Sequence, residues 1–186
     1  MNVPPPYWAF AWAGGQALAR YLLDHPPLVA GLNVLDLGSG SGLTAIAAMR
    51  AGAAHVFASD IDALALTAID LNSMANGVAI EAMREDLLGG PPYATDRPFD
   101  AVLVGDLFYE RALASRVLAF IEAQHANGAL ILVGDPRRSY FPLDRFRQVA
   151  EYSVPVTREL EDAEIKRTAV WQLCSQSPSA TGGGSA

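Results

Sequence analysis

Asn33-Val34-Leu35-Asp36-Leu37-Gly38-Ser39-Gly40-Ser41-Gly42 decides how this chain is read. Asn33 to Leu37 has the character of a short buried strand. Three glycines follow at alternate positions, and a helical pattern begins after them. A strand that runs through a glycine-rich turn into a helix start brings bare backbone to a ligand. Glycine is needed where a side chain would block that approach. A nicotinamide-type turn has the form G-x-G-x-x-G, but Leu43 stands where its third glycine belongs and Gly42 falls one position early. No Gly-Lys-Ser/Thr follows, which excludes a phosphate-gripping P-loop.

The 186 residues suffice for one domain with a sizeable core. Hydrophobic residues make up 51% and charged residues 18%, a globular composition. A net charge of -7 argues against affinity built on nucleic-acid phosphates, which calls for a basic face. It suits a small cofactor or a basic protein segment. Cys174 is the only cysteine and lies in a late apolar run, so a packed thiol is expected. It has no Cys or His neighbours at metal spacing, and His25, His55 and His125 fall at turns and caps, so no metal site is expected. No apolar run approaches the roughly 18 residues of a membrane span. Met1-Asn2-Val3-Pro4-Pro5-Pro6 carries no basic leader. A monomer in a reducing cytoplasm, with no membrane partner, is the expectation.

Around the glycine turn, strands and helices alternate. Pro4 to Gly15 is an aromatic segment in which Trp8, Phe10 and Trp12 recur with period two, either as a lid on the core or as a wall beside a ligand. Gly14-Gly15 is expected to break it, with a helix over Gln16 to Leu23. Leu43, Ile46 and Met49 mark the helix after the turn, and Ala54 to Ser59 the second strand. Asp62 caps a helix whose inner face reads as Leu64, Ala68, Leu71 and Ala75, stopped by Asn76-Gly77. Val78 to Met83 is a third strand, Gly89 to Pro98 a loop, and Phe99 to Gly105 a fourth strand. Leu113, Val117, Phe120 and Ile121 mark a helix, and Ala129 to Val133 a fifth strand. Leu143, Phe146 and Val149 predict a short helix, Tyr152, Val154 and Val156 a strand placed at an edge by Pro155, and Thr168 to Cys174 the last strand. The domain is expected to span 1–174, with a flexible tail at 175–186.

This is an α/β pattern: a mostly parallel sheet with helices on both faces and an appended C-terminal hairpin. Asp36, Asp60, Asp86, Asp106 and Asp135 each fall at the end of a successive strand. In a parallel sheet those ends share the edge where ligands bind. Aspartate also caps helices well, and for Asp135 that plain role is the leading one.

The D-x-G-x-G-x-G run from Asp36 to Gly42 resembles the first motif of the class I, Rossmann-like, seven-stranded methyltransferases, which bind S-adenosylmethionine. That cofactor has a sulfonium charge, an amino group and ribose hydroxyls, each a fit partner for a carboxylate. Asp60, twenty residues after Gly40, is expected on the ribose hydroxyls. Asp86 and Leu87 are expected to flank the adenine. Asp36 is expected to act near the methionine end, while Gly38, Ser39, Gly40, Ile61 and Trp12 complete the cofactor site. Asp106, which also borders the cofactor, and Tyr109 are the catalytic candidates. Asp106 would hold the acceptor nitrogen, and Tyr109 would face the cationic product.

Further matches narrow the resemblance: Pro6-Tyr7-Trp8-Ala9, Trp12-x-Gly14-Gly15-Gln16-Ala17-Leu18, Asp60-Ile61-Asp62, Gly105-Asp106-x-Phe108-Tyr109, Gly134-Asp135-Pro136 and Val170-Trp171. With these the chain resembles the electron transfer flavoprotein β-subunit lysine methyltransferases from Pro6 to about Leu173. The resemblance implies N-methylation of lysine side chains in that protein. That family usually has Gly-Asp-Pro-Gly-Arg, whereas here Arg137 replaces the second glycine. If that glycine serves a positive φ, the loop is expected to differ in shape. The polar loop with Glu159, Glu161, Asp162 and Glu164 reads either as a solvated turn or as a dock for a lysine-rich segment. Other readings remain: a ribosomal protein as substrate, a small amine as acceptor, or a non-catalytic cofactor-binding protein.

Overall fold

The computed structural model describes residues 5–90, 98–156 and 164–174. Five strands, β1 (Asn33–Leu37), β2 (His55–Ser59), β3 (Glu81–Met83), β4 (Ala101–Gly105) and β5 (Leu130–Asp135), run parallel. β6 (Phe146–Pro155) and β7 (Ile165–Leu173) complete the sheet in the order β3-β2-β1-β4-β5-β7-β6, with β7 antiparallel to both neighbours. The register pairs Leu37 with Ser59 and Val104, and Gly105 with Gly134, so the parallel strands end on one edge. Strand order turns back between β1 and β4, and this switch point opens a crevice on that edge.

The apolar strands are buried on both faces, as parallel strands must be. On one face Val34, Ala58, Leu103 and Leu132 pack under α1 (Ala13–Asp24), α2 (Leu43–Arg50) and Ile69 of α3 (Ala63–Asn76). On the other, Leu35, Val102, Val104 and Ile131 pack under α4 (Arg111–Ala126). Phe108, Phe141, Phe146 and Trp171 extend that face as one aromatic cluster.

Four expectations need correction. The helix expected around Leu143 to Val149 is a single turn, Leu143–Arg145, followed by β6. Phe146 faces the aromatic cluster, whereas Ala150, Tyr152 and Val154 face the opposite core. A register shift between Gln148 and Ala150 inserts Val149 and flips the alternation. That bulge turns period two into an apparent i, i+3 spacing. The inner face of α3 is Ala65, Ile69 and Ser73, while Leu64 and Leu71 are 57% and 63% exposed. Ile69 sits over Gly42, and Asn72 Nδ2 donates to Ser41 O at 2.8 Å, which fixes the helix's rotation against the glycine loop. Gly14-Gly15 opens α1 instead of breaking the segment. Cys174 is exposed just beyond the end of β7.

Pro155 closes β6 on the sheet edge, as expected. β6 runs in the same sense as the parallel strands, so its hairpin turn leaves from the ligand edge. Of the acidic residues expected there, Glu159, Glu161 and Asp162 lie outside the described residues, as do Pro91 to Arg97 of the loop after β3 and the expected tail from 175. Among the described residues no helix is long and apolar enough to cross a membrane.

Candidate active site

Two carboxylates build the site's frame by doing the same job at two helices. Neither helix has a capping side chain of its own, because α2 starts after Gly42 and α1 after Trp12. Each therefore begins with backbone N–H groups that need an outside acceptor. Asp36 of β1 supplies one: its Oδ2 accepts from Ala45 N at 3.0 Å and from Ser39 Oγ at 2.6 Å. Asp106, just past β4, supplies the other: its Oδ2 accepts from Gly15 N at 2.9 Å. Both carboxylates also gain from the positive end of the helix dipole.

The glycine loop lies between them. Gly38 and Gly40 take φ of 65° and 58°, the left-handed region that glycine enters without strain. Ser39 N donates to Ser59 O at 3.0 Å, and Gly40 N to Asp60 Oδ2 at 2.9 Å, so the loop is stitched to β2. Asp60 Oδ1 accepts from Asp62 N at 3.0 Å. Burial pushes the Asp36 carboxyl up to about 6, against the pull of its Ser39 and Ala45 hydrogen bonds, and Asp60 adds to the rise. Ser39, expected at the cofactor, turns its hydroxyl inward to Asp36. Asp86 caps the turn Leu87–Gly89 through Leu88 N at 3.2 Å and pairs with Arg116 at 2.7 Å. The Leu87 side chain is buried in the core, so only its main chain is available to a ligand. Ile61 is exposed beside Asp60.

The second half of the site gathers at β4 and β5. Asp106 is 6% exposed and has φ of 58°, unusual for a residue with a side chain. Its Oδ1 accepts from Arg138 Nε at 3.0 Å and Nη2 at 2.6 Å. The Arg138 guanidinium also lies 5.6 Å from the Trp12 ring centroid. Leu107 leans over Gly38, where a Cβ would lie 2.9 Å from its Cδ1. The catalytic turn and the glycine loop therefore share a wall. Tyr109 is 55% exposed near Tyr7, Asp60 and Arg138, and burial is the first cause of its raised pKa, with Glu110 next. Trp12 donates its indole N–H to Tyr7 O at 2.8 Å, which locks the aromatic segment on itself.

Two features of this half were missed in the sequence. Gly14 and Gly134 touch backbone to backbone: a Cβ on Gly14 would lie 2.1 Å from Gly134 O. Asp135 is fully buried, its Oδ1 accepting from Arg138 N at 2.7 Å and its Oδ2 without a partner among the described residues. Burial, followed in size by the lowering bond from Arg138 N and then by repulsion from Asp106, leaves this carboxyl up at about 7. A helix start without a capping residue, as at Trp12-Ala13, was the available signal that a distant carboxylate is needed. Arg137 keeps φ at 68°, so the loop is left-handed there without glycine. Its side chain lies 5.4 Å over the Trp171 ring and donates to Gln148 Oε1 at 3.2 Å. Among the described residues no cluster of His, Cys, Asp or Glu could hold a metal.

A seven-stranded sheet in this order, with a glycine turn after β1 and a carboxylate after β2, defines a class I methyltransferase, an enzyme that draws its methyl group from S-adenosylmethionine. The family model described as ribosomal protein L11 methyltransferase matches residues 17–110. The electron transfer flavoprotein β-subunit lysine methyltransferase of Mus musculus is 40% identical over 174 residues, covering 90% of this chain and 67% of its own length. That of Homo sapiens is 38% identical over 172 residues, covering 89% and 64%. The chain thus spans about two thirds of the length of these curated relatives. The crystal structure of ribosomal protein L11 methylase from Lactobacillus delbrueckii subsp. bulgaricus superposes with a TM-score of 0.60 at 22% identity, over 89% of this chain and 81% of that one. Magnesium protoporphyrin IX methyltransferase from Synechocystis PCC 6803, solved with S-adenosylmethionine, gives 0.57 at 16%, over 86% and 78%. At these identities the structural likeness is one of fold. The chain belongs to the electron transfer flavoprotein β-subunit lysine methyltransferase family.

Proposed function

We propose that this protein methylates lysine ε-amino groups of the electron transfer flavoprotein β-subunit. The observation that carries the reading is the shared wall: the Asp106-Leu107-Phe108-Tyr109 turn packs directly on the glycine loop through Leu107 and Gly38. A cofactor held by that loop would lie beside the turn, and the 40% identity to the mouse relative supports the choice of acceptor.

The donor set suits S-adenosylmethionine. Asp60 uses one acceptor position on each oxygen for backbone, and a carboxylate has about four, so it can also take ribose hydroxyls. Gly38 and Gly40 would let the cofactor meet the main chain. Asp36 holds the loop in shape and does not reach out. The main chain at Leu87 would border the adenine, with Asp86 turned to Arg116. Trp12 would border the cofactor from the aromatic segment. The cofactor supplies an activated methyl group.

The protein's part is to present a neutral amine. A lysine ammonium has an ordinary pKa of about 10.4 and must lose a proton before its nitrogen can attack. Enclosure of the nitrogen between the protein and the bound cofactor would favour its neutral form. Asp106, fixed by Arg138 and Gly15, would orient the nitrogen, and Tyr109 would face the methylated product. The net charge of -7 suits a basic protein segment as partner and disfavours nucleic acid. We place the enzyme, as a monomer, in a reducing cytoplasm, in keeping with a single free cysteine.

The match to the L11 methyltransferase model favours a second reading, in which the acceptor is a ribosomal protein. Transfer of labelled methyl from S-adenosylmethionine to purified electron transfer flavoprotein and to a ribosomal extract separates them. Label on lysines of the flavoprotein β-subunit is expected. Label confined to the extract would change the acceptor. Label in neither, with the cofactor bound, would leave a small amine or a non-catalytic role.

A further inference from the structure

Arg137 holds a backbone shape that its side chain disfavours. Its φ is 68°, in the left-handed region. Glycine enters that region freely, and a residue with a Cβ does not. Strain of this kind persists only where the surroundings enforce it, and it gathers at functional sites. Here they do enforce it. Asp135 Oδ1 accepts from Arg138 N at 2.7 Å, and Trp171 Nε1 donates to Asp135 O at 3.0 Å, so the loop after β5 is pinned on both sides of Arg137. The side chain held out by that loop is an exposed cation with uncharged neighbours. It lies 5.4 Å over the Trp171 ring and donates through Nη2 to Gln148 Oε1 at 3.2 Å. Among the described residues no carboxylate pairs with it. A guanidinium has five N–H donors, so several remain for an acceptor from outside the chain.

Arg137 shares a depression of about 310 Å³ with Tyr109, Pro136, Arg138, Ser139 and Lys166. Asp135 pairs with Ala169, which carries Lys166 past the same edge of the sheet. Three cations thus line one depression in a chain of net charge -7, and Ser139 and Tyr109 add hydroxyl groups. Such a lining suits an anion with oxygen acceptors, and the planar guanidinium fork matches a carboxylate. Two of the residues also belong to the acceptor half of the active site. Arg138 Nη2 donates to Asp106 Oδ1 at 2.6 Å, and Tyr109 ends the catalytic turn. The glycine loop follows β1, and β4 stands between β1 and β5. At about 4.8 Å per strand, the loop after β5 lies roughly 10 Å from the glycine loop. The depression therefore borders the acceptor site on the side away from the cofactor.

We propose that this depression is a subsite for the side-chain carboxylate of an aspartate or glutamate near the methylated lysine of the protein acceptor, and that Arg137 determines its specificity. This rests on the lysine-transfer reading given above. The lysine nitrogen goes to Asp106, the neighbouring acid goes to Arg137, and Arg138 stands between the two. The overall negative charge draws basic segments without distinguishing their lysines. A local positive site repels a second lysine and receives an acid, so it selects which lysine reaches Asp106.

The test starts by mapping, with mass spectrometry, the lysine that wild type methylates in electron transfer flavoprotein or in a ribosomal extract. The Asp and Glu residues near that lysine are then changed to Asn and Gln one at a time, and steady-state transfer is measured with wild type and with Arg137→Gly. Glycine suits the φ at this position, so the variant is expected to fold, which far-UV circular dichroism checks. With wild type, one of the acceptor changes is expected to raise KM for the acceptor about fivefold, the loss of one exposed charge pair. Arg137→Gly should raise it by the same factor on the native acceptor and add nothing once that acid is gone, because both changes remove one contact. KM for S-adenosylmethionine should stay within about twofold. An acceptor KM that Arg137→Gly leaves unchanged overturns the proposal. So do losses that add, which mean that Arg137 only shapes the loop, and so does a lysine beside which no acid matters. A loss confined to S-adenosylmethionine overturns it too, by putting the carboxylate on the cofactor. Wild type that methylates no lysine in either source overturns the lysine-transfer reading as well.

Discussion

Asp36 and Asp106 perform one task at two distances, and the two halves of the site differ accordingly. Asp36 caps α2 from nine residues away, and Asp60 reaches Gly40 from twenty. Asp106 caps α1 from ninety-one residues away and meets Arg138 across thirty-two. The cofactor half is one loop folding back on its own flanks. The acceptor half is a junction of the first helix, the fourth strand and the loop after the fifth. A junction of remote parts is exact only if every part is in place, so changes far from the chemistry reach it more easily.

Alanine at glycine offers the largest test of that difference. Gly14→Ala puts a methyl group 2.1 Å from the Gly134 carbonyl and 2.5 Å from Asp106 Oδ2, so backbone must shift. A stability loss of about 3 kcal/mol or more is expected in urea unfolding. Gly40→Ala has 3.4 Å of clearance and a left-handed φ of 58° to maintain, and should cost only about 1–2 kcal/mol. Equal losses would mean that the two halves are equally tolerant.

Removing Asp106 should divide function from cofactor binding. Asp106→Ala is expected to lower methyl transfer by about a hundredfold or more, while cofactor affinity changes by less than about threefold. It also takes the Asp106 carboxylate from Arg138, whose side chain is only 18% exposed, at a cost of about 2–4 kcal/mol. A matching fall in cofactor affinity, read by calorimetry, would merge the two halves into one.

The smallest effect concerns pH. Asp135 has its carboxyl raised from 3.8 to about 7, chiefly by burial, so the folded protein holds its proton more tightly than the unfolded chain does. Its contribution to stability is complete below pH 3.8 and drains away as pH rises through about 7. Asp135→Asn cannot ionise. It should therefore gain on wild type between pH 4 and 8, by on the order of 1–4 kcal/mol at the upper end, and match it most closely near pH 4. Asp36, raised to about 6, leaves a loss of the same sign over a narrower pH range in the cofactor half. A gap that narrows towards pH 8 in urea midpoints would show that Asp135 is ionised and well served in the folded state.

What could be read ahead of the structure follows the same division. The glycine turn, Asp60 beside it, the Asp62 cap and the strand ends are local patterns, and all are in place. Expectation failed where tertiary contacts override local spacing. α3 turned toward Ile69 because Gly42 leaves room for it, not toward Leu64 and Leu71. β6 looked helical because Val149 bulges out of register. Asp135 looked like a plain cap because burial is not written in a sequence, and its Oδ2 points to no group that spacing could reveal. The partners of Asp106 were hidden because Gly15 and Arg138 come from opposite ends of the chain.

The bare contact between Gly14 and Gly134 also governs the order of events during synthesis. The first helix leaves the ribosome well before the strand it must touch. Until β5 has formed, α1 has only part of its seat, on α2 and β4, and its start is not yet fixed beside the Asp106 carboxylate. Closure of so long a loop is slow compared with the folding of β1 through β2. Nascent chains should therefore mature from the middle outward, with the capacity to bind cofactor preceding the capacity to use it.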